Sequence, residues 1–349
     1  MEEGLRNTAY SLPFTIALLH CVAVTTSSTM SGAYWGNGVA LMLTRAIGQA
    51  ERSPLIEINV DNDIRVVTFT ANGEYLVSGD GDKVRVWRVE DGKQMATMAA
   101  KRVSCLAVSK DGRWIAAGTF SGYAFVWHAK TYKKVFAHNE DLSDILGVEF
   151  SPDSTRVVTA SKNRTATVWD VAARKKALTL DHEEWVVAAK YSLQGDRIAA
   201  AAFGSVRVWD SNDGRLLVQI KINVTPRFNT GLLWFNTDFF VISDNKIIQF
   251  EASTGSAIAE WSVADTNNTS SIALPHHREF ITYSTNDTVT FWDTSTHTRI
   301  GLIQLTQNIS SIALSPDDRL LAIGGNSGKI AIRDIRDVTP ASYSTVSIV

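Results

Sequence analysis

The sequence predicts an all-β chain whose short strands group into a ring of seven four-stranded antiparallel sheets. Three observations predict it. A short motif, an apolar residue followed by Trp and often by Asp, recurs at a nearly constant step. A turn signature keeps a fixed distance ahead of that motif. Short alternating or apolar runs of strand length fill the intervals between them.

The motif reads Val86-Trp87, Val126-Trp127, Val168-Trp169-Asp170, Val208-Trp209-Asp210 and Phe291-Trp292-Asp293. Two weaker copies fall in phase, Gln249-Phe250-Glu251 and Ile332-Arg333-Asp334. The structural repeat positions are therefore Trp87, Trp127, Trp169, Trp209, Phe250, Trp292 and Arg333. Successive steps between them are 40, 42, 40, 41, 42 and 41 residues. The turn signature Ser109-Lys110-Asp111-Gly112, Ser151-Pro152-Asp153 and Ser315-Pro316-Asp317 starts 18 residues before the repeat position. Thr70-Ala71-Asn72-Gly73 and Ser192-Leu193-Gln194-Gly195 start 17 before it. Pro presets one backbone angle and Asn or Gly accepts the positive φ that tight hairpins need. A further turn marker follows the motif, as in Glu90-Asp91-Gly92 and Asn212-Asp213-Gly214.

Within one repeat the strand-length runs are Ile145–Phe150, Arg156–Ala160, Ala166–Trp169 and Lys176–Leu180. Four strands and three tight turns in about 40 residues describe one blade of a β-propeller, so seven copies predict a seven-bladed β-propeller. Such a ring must pair its first and last blades or leave sheet edges exposed. Ile309–Leu314, Arg319–Gly324 and Lys329–Asp334 supply three strands of the last blade, and the N-terminal strand Leu55–Val60 is the predicted fourth. The tail Thr345–Val349 is the alternative. The domain reading is an N-terminal extension over 1–53, a propeller over 54–336 and a C-terminal tail over 337–349.

From about Leu55 to Arg336 the sequence resembles the WD-repeat (WD40) family, with Ser151-Pro152-Asp153 through Val168-Trp169-Asp170 as its best copy. Ala137-His138 and Asp181-His182 stand where that family usually has Gly-His. Asn163, Asn286 and Ser121 stand where it has an Asp before the third strand, so its buried His–Asp network is expected to be mostly degraded. Packing of the repeated aromatic outweighs that network, since truncating one such Trp costs ~3–5 kcal/mol.

The 349 residues carry 34 Lys plus Arg against 36 Asp plus Glu, a net charge of −2. That balance argues against general binding of nucleic-acid phosphates. Cys21 and Cys105 are too far apart in sequence to imply a disulfide framework, which favours a reducing compartment, cytoplasmic or nuclear. No Asp, Glu, Lys or Arg lies between Arg6 and Arg45. The apolar run over 12–24 has the size of a signal h-region, but Glu2 and Glu3 make a poor basic flank. A membrane span needs about 20 apolar residues, and Thr25–Ser31 is too polar. A flexible or loosely packed extension is the expectation, with secretion or anchoring as the alternative.

A catalytic constellation is not legible, and neither a metal nor another cofactor is implied. Gly324-Gly325-Asn326-Ser327-Gly328-Lys329 has the wrong spacing for a phosphate loop, with Ile330 where Ser or Thr would bind magnesium, and reads as a strand-to-strand turn. His276-His277 lacks a partner at ligand spacing. Glu183-Glu184 are adjacent on one loop and do not oppose each other across a substrate. The predicted inner strands Val103–Val108, Val186–Tyr191 and Ile309–Leu314 are mostly apolar, which disfavours an enzyme built on the central channel.

The loops that lead from one blade to the next are the candidate protein-binding rim. They carry Lys101, Arg102, His138, Glu140, Asp141, Asp181, Glu183, Glu184, Trp185 and Arg227. An aromatic beside charges has the composition of a binding hot spot. Trp185 is read as the anchor for a basic peptide or protein surface, or else as packing on its own blade. The expected function is non-catalytic scaffolding by a propeller that is monomeric within a complex. Arg333-Asp334-Ile335-Arg336 faintly resembles the Trp-Asp-x-Arg box with which some relatives dock on a ubiquitin-ligase adaptor, making a substrate-receptor role the alternative. A ligand-sensing module of a larger receptor is the third reading.

Overall fold

The computed structural model describes residues 54–336, apart from 140–141, 223–231, 236, 244–245, 263–268, 274, 276–279, 294–295 and 297. They form seven four-stranded antiparallel sheets, the blades of a propeller. Blade 1 runs Val66–Phe69, Tyr75–Gly79, Lys83–Arg88 and Gln94–Ala99, and blade 2 runs Val103–Val108, Trp114–Thr119, Tyr123–His128 and Lys134–Asn139. Blade 3 is Ile145–Phe150, Arg156–Ser161, Thr165–Asp170 and Lys175–Asp181, and blade 4 is Val186–Tyr191, Arg197–Ala202, Ser205–Asp210 and Leu216–Lys221. Blade 5 is Leu232–Phe235, Asp238–Ser243, Lys246–Glu251 and Ala257–Ser262, and blade 6 is Thr269–Ala273, Phe280–Thr285, Thr288–Asp293 and Thr298–Gln304.

Blade 7 is discontinuous in sequence. Ile309–Leu314, Leu320–Gly325 and Lys329–Asp334 are joined on the open edge of the last by Ile56–Asn59. The register sets Ile56 against Ile332, Ile58 against Ile330 and Asn59 against Lys329. The Val60 N–H donates to the Gly328 carbonyl at 2.7 Å, and Glu57 pairs with Lys329 at 3.1 Å. The predicted N-terminal closure is therefore the one observed, while the alternative tail Thr345–Val349 lies outside the described residues.

The first strand of each blade is its inner strand, and from blade 6 through blades 7 and 1 to blade 5 the inner strands of neighbouring blades pack beside one another. Every repeat Trp sits in the third strand, where Trp87, Trp127, Trp169 and Trp209 are buried and Phe250 takes the same place in blade 5. Burying an aromatic of this size gains several kcal/mol, and the indole N–H must then find a partner. Trp87 Nε1 donates to Ser78 Oγ at 2.8 Å and Trp169 Nε1 to Thr159 Oγ1 at 3.1 Å. In blade 4 the second strand is Arg-Ile-Ala-Ala-Ala-Ala and offers no hydroxyl, so Trp209 Nε1 turns to His182 Nε2 at 3.4 Å.

Blade-to-blade contacts repeat with the same period. Arg156 Nη1 donates to the Ser211 carbonyl at 2.8 Å, and 41 residues on Arg197 Nη1 donates to the Ala252 carbonyl at 3.3 Å. On the inner strands the Ile312 N–H donates to Ser271 Oγ at 3.1 Å and the Val67 N–H to Ser311 Oγ at 3.2 Å.

Candidate protein-binding rim

Two sets of loops meet on one face of the ring: those between blades, and the turns between the second and third strands. Backbone hydrogen bonds lock them together. Arg102 N–H donates to the Gly81 carbonyl at 2.6 Å, and Phe120 N–H donates to the Arg102 carbonyl at 2.9 Å. Lys162 N–H reaches the Asp144 carbonyl and His182 N–H the Arg164 carbonyl, both at 2.9 Å. A side chain on a second-to-third-strand turn therefore stands beside a loop that joins two blades.

Trp185 ends the loop before blade 4 and remains 41% exposed. Its ring meets Phe203 edge-on at 5.9 Å, and the Lys162 Nζ stands 4.7 Å from its centroid. Lys162 is also paired with Asp144 at 2.7 Å. Trp185 therefore leans on its own blade and still offers two fifths of its surface. Next to it Glu183 and Glu184 are exposed, and Arg207 pairs with Glu183 at 2.7 Å while donating to the Asp181 carbonyl at 2.8 Å.

Two predicted loop residues are strand residues. Asp181 closes the outer strand of blade 3 and is exposed, so the loop begins one residue later than expected. His138 lies in the outer strand of blade 2, because that strand runs to Asn139. Its ring stacks on Trp169 of blade 3 at 4.6 Å and 9°, and its Nε2 is 2.9 Å from the Arg174 carbonyl. It joins two blades. His182 is buried, with Nε2 toward Trp209 and no hydrogen-bond partner at Nδ1. Among the described residues no carboxylate completes a His–Asp pair there. Burial, and then the Arg207 charge, press its pKa down to about 3, so the ring is neutral at pH 7.

Lys101 and Arg102 are exposed on the loop between blades 1 and 2. Arg102 (φ 58°) carries its guanidinium over the Phe120 ring at 5.8 Å, and Arg65 carries a second one over the same ring at 5.4 Å. Sequence reasoning missed Arg65, Phe120, Lys162 and Phe203. The signal was phase: Phe120 and Lys162 each precede their repeat Trp by seven residues and Phe203 by six. Glu140, Asp141 and Arg227 lie outside the described residues, as does His276-His277.

Elsewhere the chemistry is internal. Glu149 and Lys190, on adjacent inner strands, pair at 3.2 Å, and Glu149 Oε2 accepts the Tyr191 N–H at 2.6 Å. Burial pushes the Glu149 carboxyl up and the Lys190 charge opposes that. Cys105 is a free buried thiol whose pKa burial raises to about 11. Gly324 and Gly325 end a strand and Asn326–Gly328 is the turn, as expected of a strand connection. Arg336 is bound to Asp334. Among the described residues no helix is long and apolar enough to cross a membrane, and no cluster of His, Cys, Asp or Glu is placed to hold a metal ion.

The family model described as "WD domain, G-beta repeat" matches residues 54–88, 92–128, 130–170 and 301–334. WD repeat-containing protein 18 of Danio rerio is 21% identical over 281 residues, 70% of this chain and 63% of that protein. A subunit of chromatin assembly factor 1 from Gallus gallus is 27% identical over 165 residues, 46% of this chain and 25% of that protein. The chain spans only 19% of the length of some longer relatives. The β-propeller domain of Cps50 (Swd1) from Myceliophteria thermophila superposes with a TM-score of 0.72 at 17% identity, over 80% of this chain and 98% of that one. Repeat motif, blade topology and these likenesses agree, and the chain belongs to the WD-repeat (WD40) β-propeller family.

Proposed function

We propose that this chain is a non-catalytic interaction module whose loop face holds a peptide or protein surface carrying basic residues, with Trp185 as the anchor. The observation that carries this reading is the partly exposed Trp185 ring on a stretch of chain that also exposes Asp181, Glu183 and Glu184. Interface energy concentrates in aromatic residues ringed by polar ones. A lysine or arginine stem lying on the indole would set its charge among these carboxylates, and the indole face itself attracts cations. Lys162 already uses that attraction within the chain. A relative named as part of an assembly factor supports membership in a complex, and the free buried thiol of Cys105 is consistent with cytoplasm or nucleus.

The test is affinity purification with mass spectrometry, comparing wild type with Trp185→Ala and with Glu183→Gln/Glu184→Gln. Both variants are expected to lose the same partner while keeping the wild-type circular dichroism and melting temperature. A Trp185→Ala chain that unfolds, or one that keeps every partner, overturns the anchor role.

A further inference from the structure

A second feature of the same face has the opposite charge and needs its own occupant. Arg65 leads into blade 1 and Arg102 into blade 2, and both place guanidinium groups within 6 Å of the Phe120 centroid. Both side chains are exposed, and among the described residues neither has a carboxylate partner. Lys162 and Arg207 on this face are paired inside the chain, whereas these two like charges are brought together over one ring and left open. Converging cations on an aromatic platform repel each other until an anion bridges them, and the guanidinium fork fits a carboxylate with two parallel hydrogen bonds. Phe120 and Phe203 both pack against one buried cluster that includes Leu146 and Val187, so the floor under the arginines is apolar.

We infer that Arg65, Arg102 and Phe120 form a recognition site for a peptide segment carrying Asp or Glu side chains. The arginines take the carboxylates and the Phe120 ring takes an apolar neighbour on the peptide. Asp61, Asp63 and Asp82 are exposed on the adjoining loops and would repel an extended polyphosphate backbone, which favours a short acidic segment over nucleic acid. The site is independent of the Trp185 reading, because it uses different residues and the opposite charge.

The test uses the full chain and a fluorescein-labelled hexapeptide of alternating Glu and Leu, read by anisotropy. The expected result is saturable binding that weakens with salt and falls at least about tenfold for each of Arg65→Gln and Arg102→Gln. Phe120→Leu keeps an apolar side chain on the cluster and is expected to weaken the peptide without lowering the melting temperature. Trp185→Ala and Glu183→Gln/Glu184→Gln are expected to leave it unchanged, which separates this site from the one above. Absence of saturable binding, insensitivity to both arginine variants, or tighter binding of a single-stranded oligonucleotide of equal charge each overturns the proposal.

Discussion

His182 shows how a single side chain is assigned its role by its neighbours. The second strand of blade 4 has alanines where blades 1 and 3 supply Ser78 and Thr159, so the Trp209 indole has no hydroxyl to reach. The histidine fills that role, and its Nδ1 is left unpartnered in a buried place. The consequence is a pH dependence whose sign can be worked out. In the unfolded chain this imidazole takes a proton near pH 6.5, whereas in the folded chain burial and Arg207 hold it neutral down to about 3. Between those values the unfolded state binds the extra proton, so stability present above pH 6.5 is lost on acidification, at up to about 1.4 kcal/mol per pH unit. His182→Gln keeps an acceptor for the indole and cannot titrate. Unfolding free energies of wild type and His182→Gln are expected to converge as pH falls from 6.5 toward about 4. Parallel curves would show that His182 is not held neutral. Trp169 gives the complementary case: it is buried, donates to Thr159 and stacks on His138 of the neighbouring blade. Trp169→Ala is expected to cost about 3–5 kcal/mol in denaturant titration, and a loss under about 1 kcal/mol would deny the indole its place in the core.

At the scale of the blade, what matters is what joins one sheet to the next. The arginine that opens the second strand of blades 3 and 4 reaches across to the carbonyl just past the next blade's repeat motif, Arg156 to Ser211 and Arg197 to Ala252. These are charge-to-backbone hydrogen bonds at partly buried positions, each worth about 1–2 kcal/mol. Arg156→Met is expected to destabilise by about that amount, and Arg197→Met by less, because its bond is longer at 3.3 Å against 2.8 Å. Equal stability of Arg156→Met and wild type in urea would remove the clasp. The clasps mark the limit of what the sequence could say. Strands were legible because alternation and turn chemistry act within a few residues: Ile145–Phe150, Val186–Tyr191 and Lys329–Asp334 are observed as expected. The ring closure was legible because a missing fourth strand had a candidate of the right pattern at the other end of the repeats. The rim was legible only where it is a connection between blades. Lys162, Phe120 and Phe203 lie on turns that meet those connections through blade geometry, which no local pattern records. His138 is expected on the rim but stands in a strand, because the outer strand runs further than the turn signal suggests.

For the whole molecule, the issue is whether seven sheets behave as a row or as a ring. A row of repeats has stability that is close to a sum of units and their nearest-neighbour contacts, and it tolerates the loss of an end. A ring does not, because the last strand removed opens a sheet edge and unseats the neighbours on both sides. Ile56–Asn59 is that strand here, and Ile58, Ile330 and Ile332 share one buried cluster with Ile64, Val67 and Trp87 of blade 1. The seam therefore carries apolar contacts to blade 1 as well as ladder hydrogen bonds to blade 7. Gly328 is its tightest point: it holds φ at +73°, and a Cβ there would run into the Val60 carbonyl oxygen. Gly328→Ala should thus press on the closing strand without deleting any contact elsewhere. A chain starting at Pro54 is expected to melt cooperatively. One starting at Asn62 is expected to melt many degrees lower, because removing Ile58 from its cluster and leaving the Lys329–Asp334 strand without its partner costs several kcal/mol, and each kcal/mol is about 2–4 °C for a domain of this size. Gly328→Ala is expected to fall between them. If all three share one melting temperature, the seam contributes nothing and the seven blades are a row held in a circle only by their own packing.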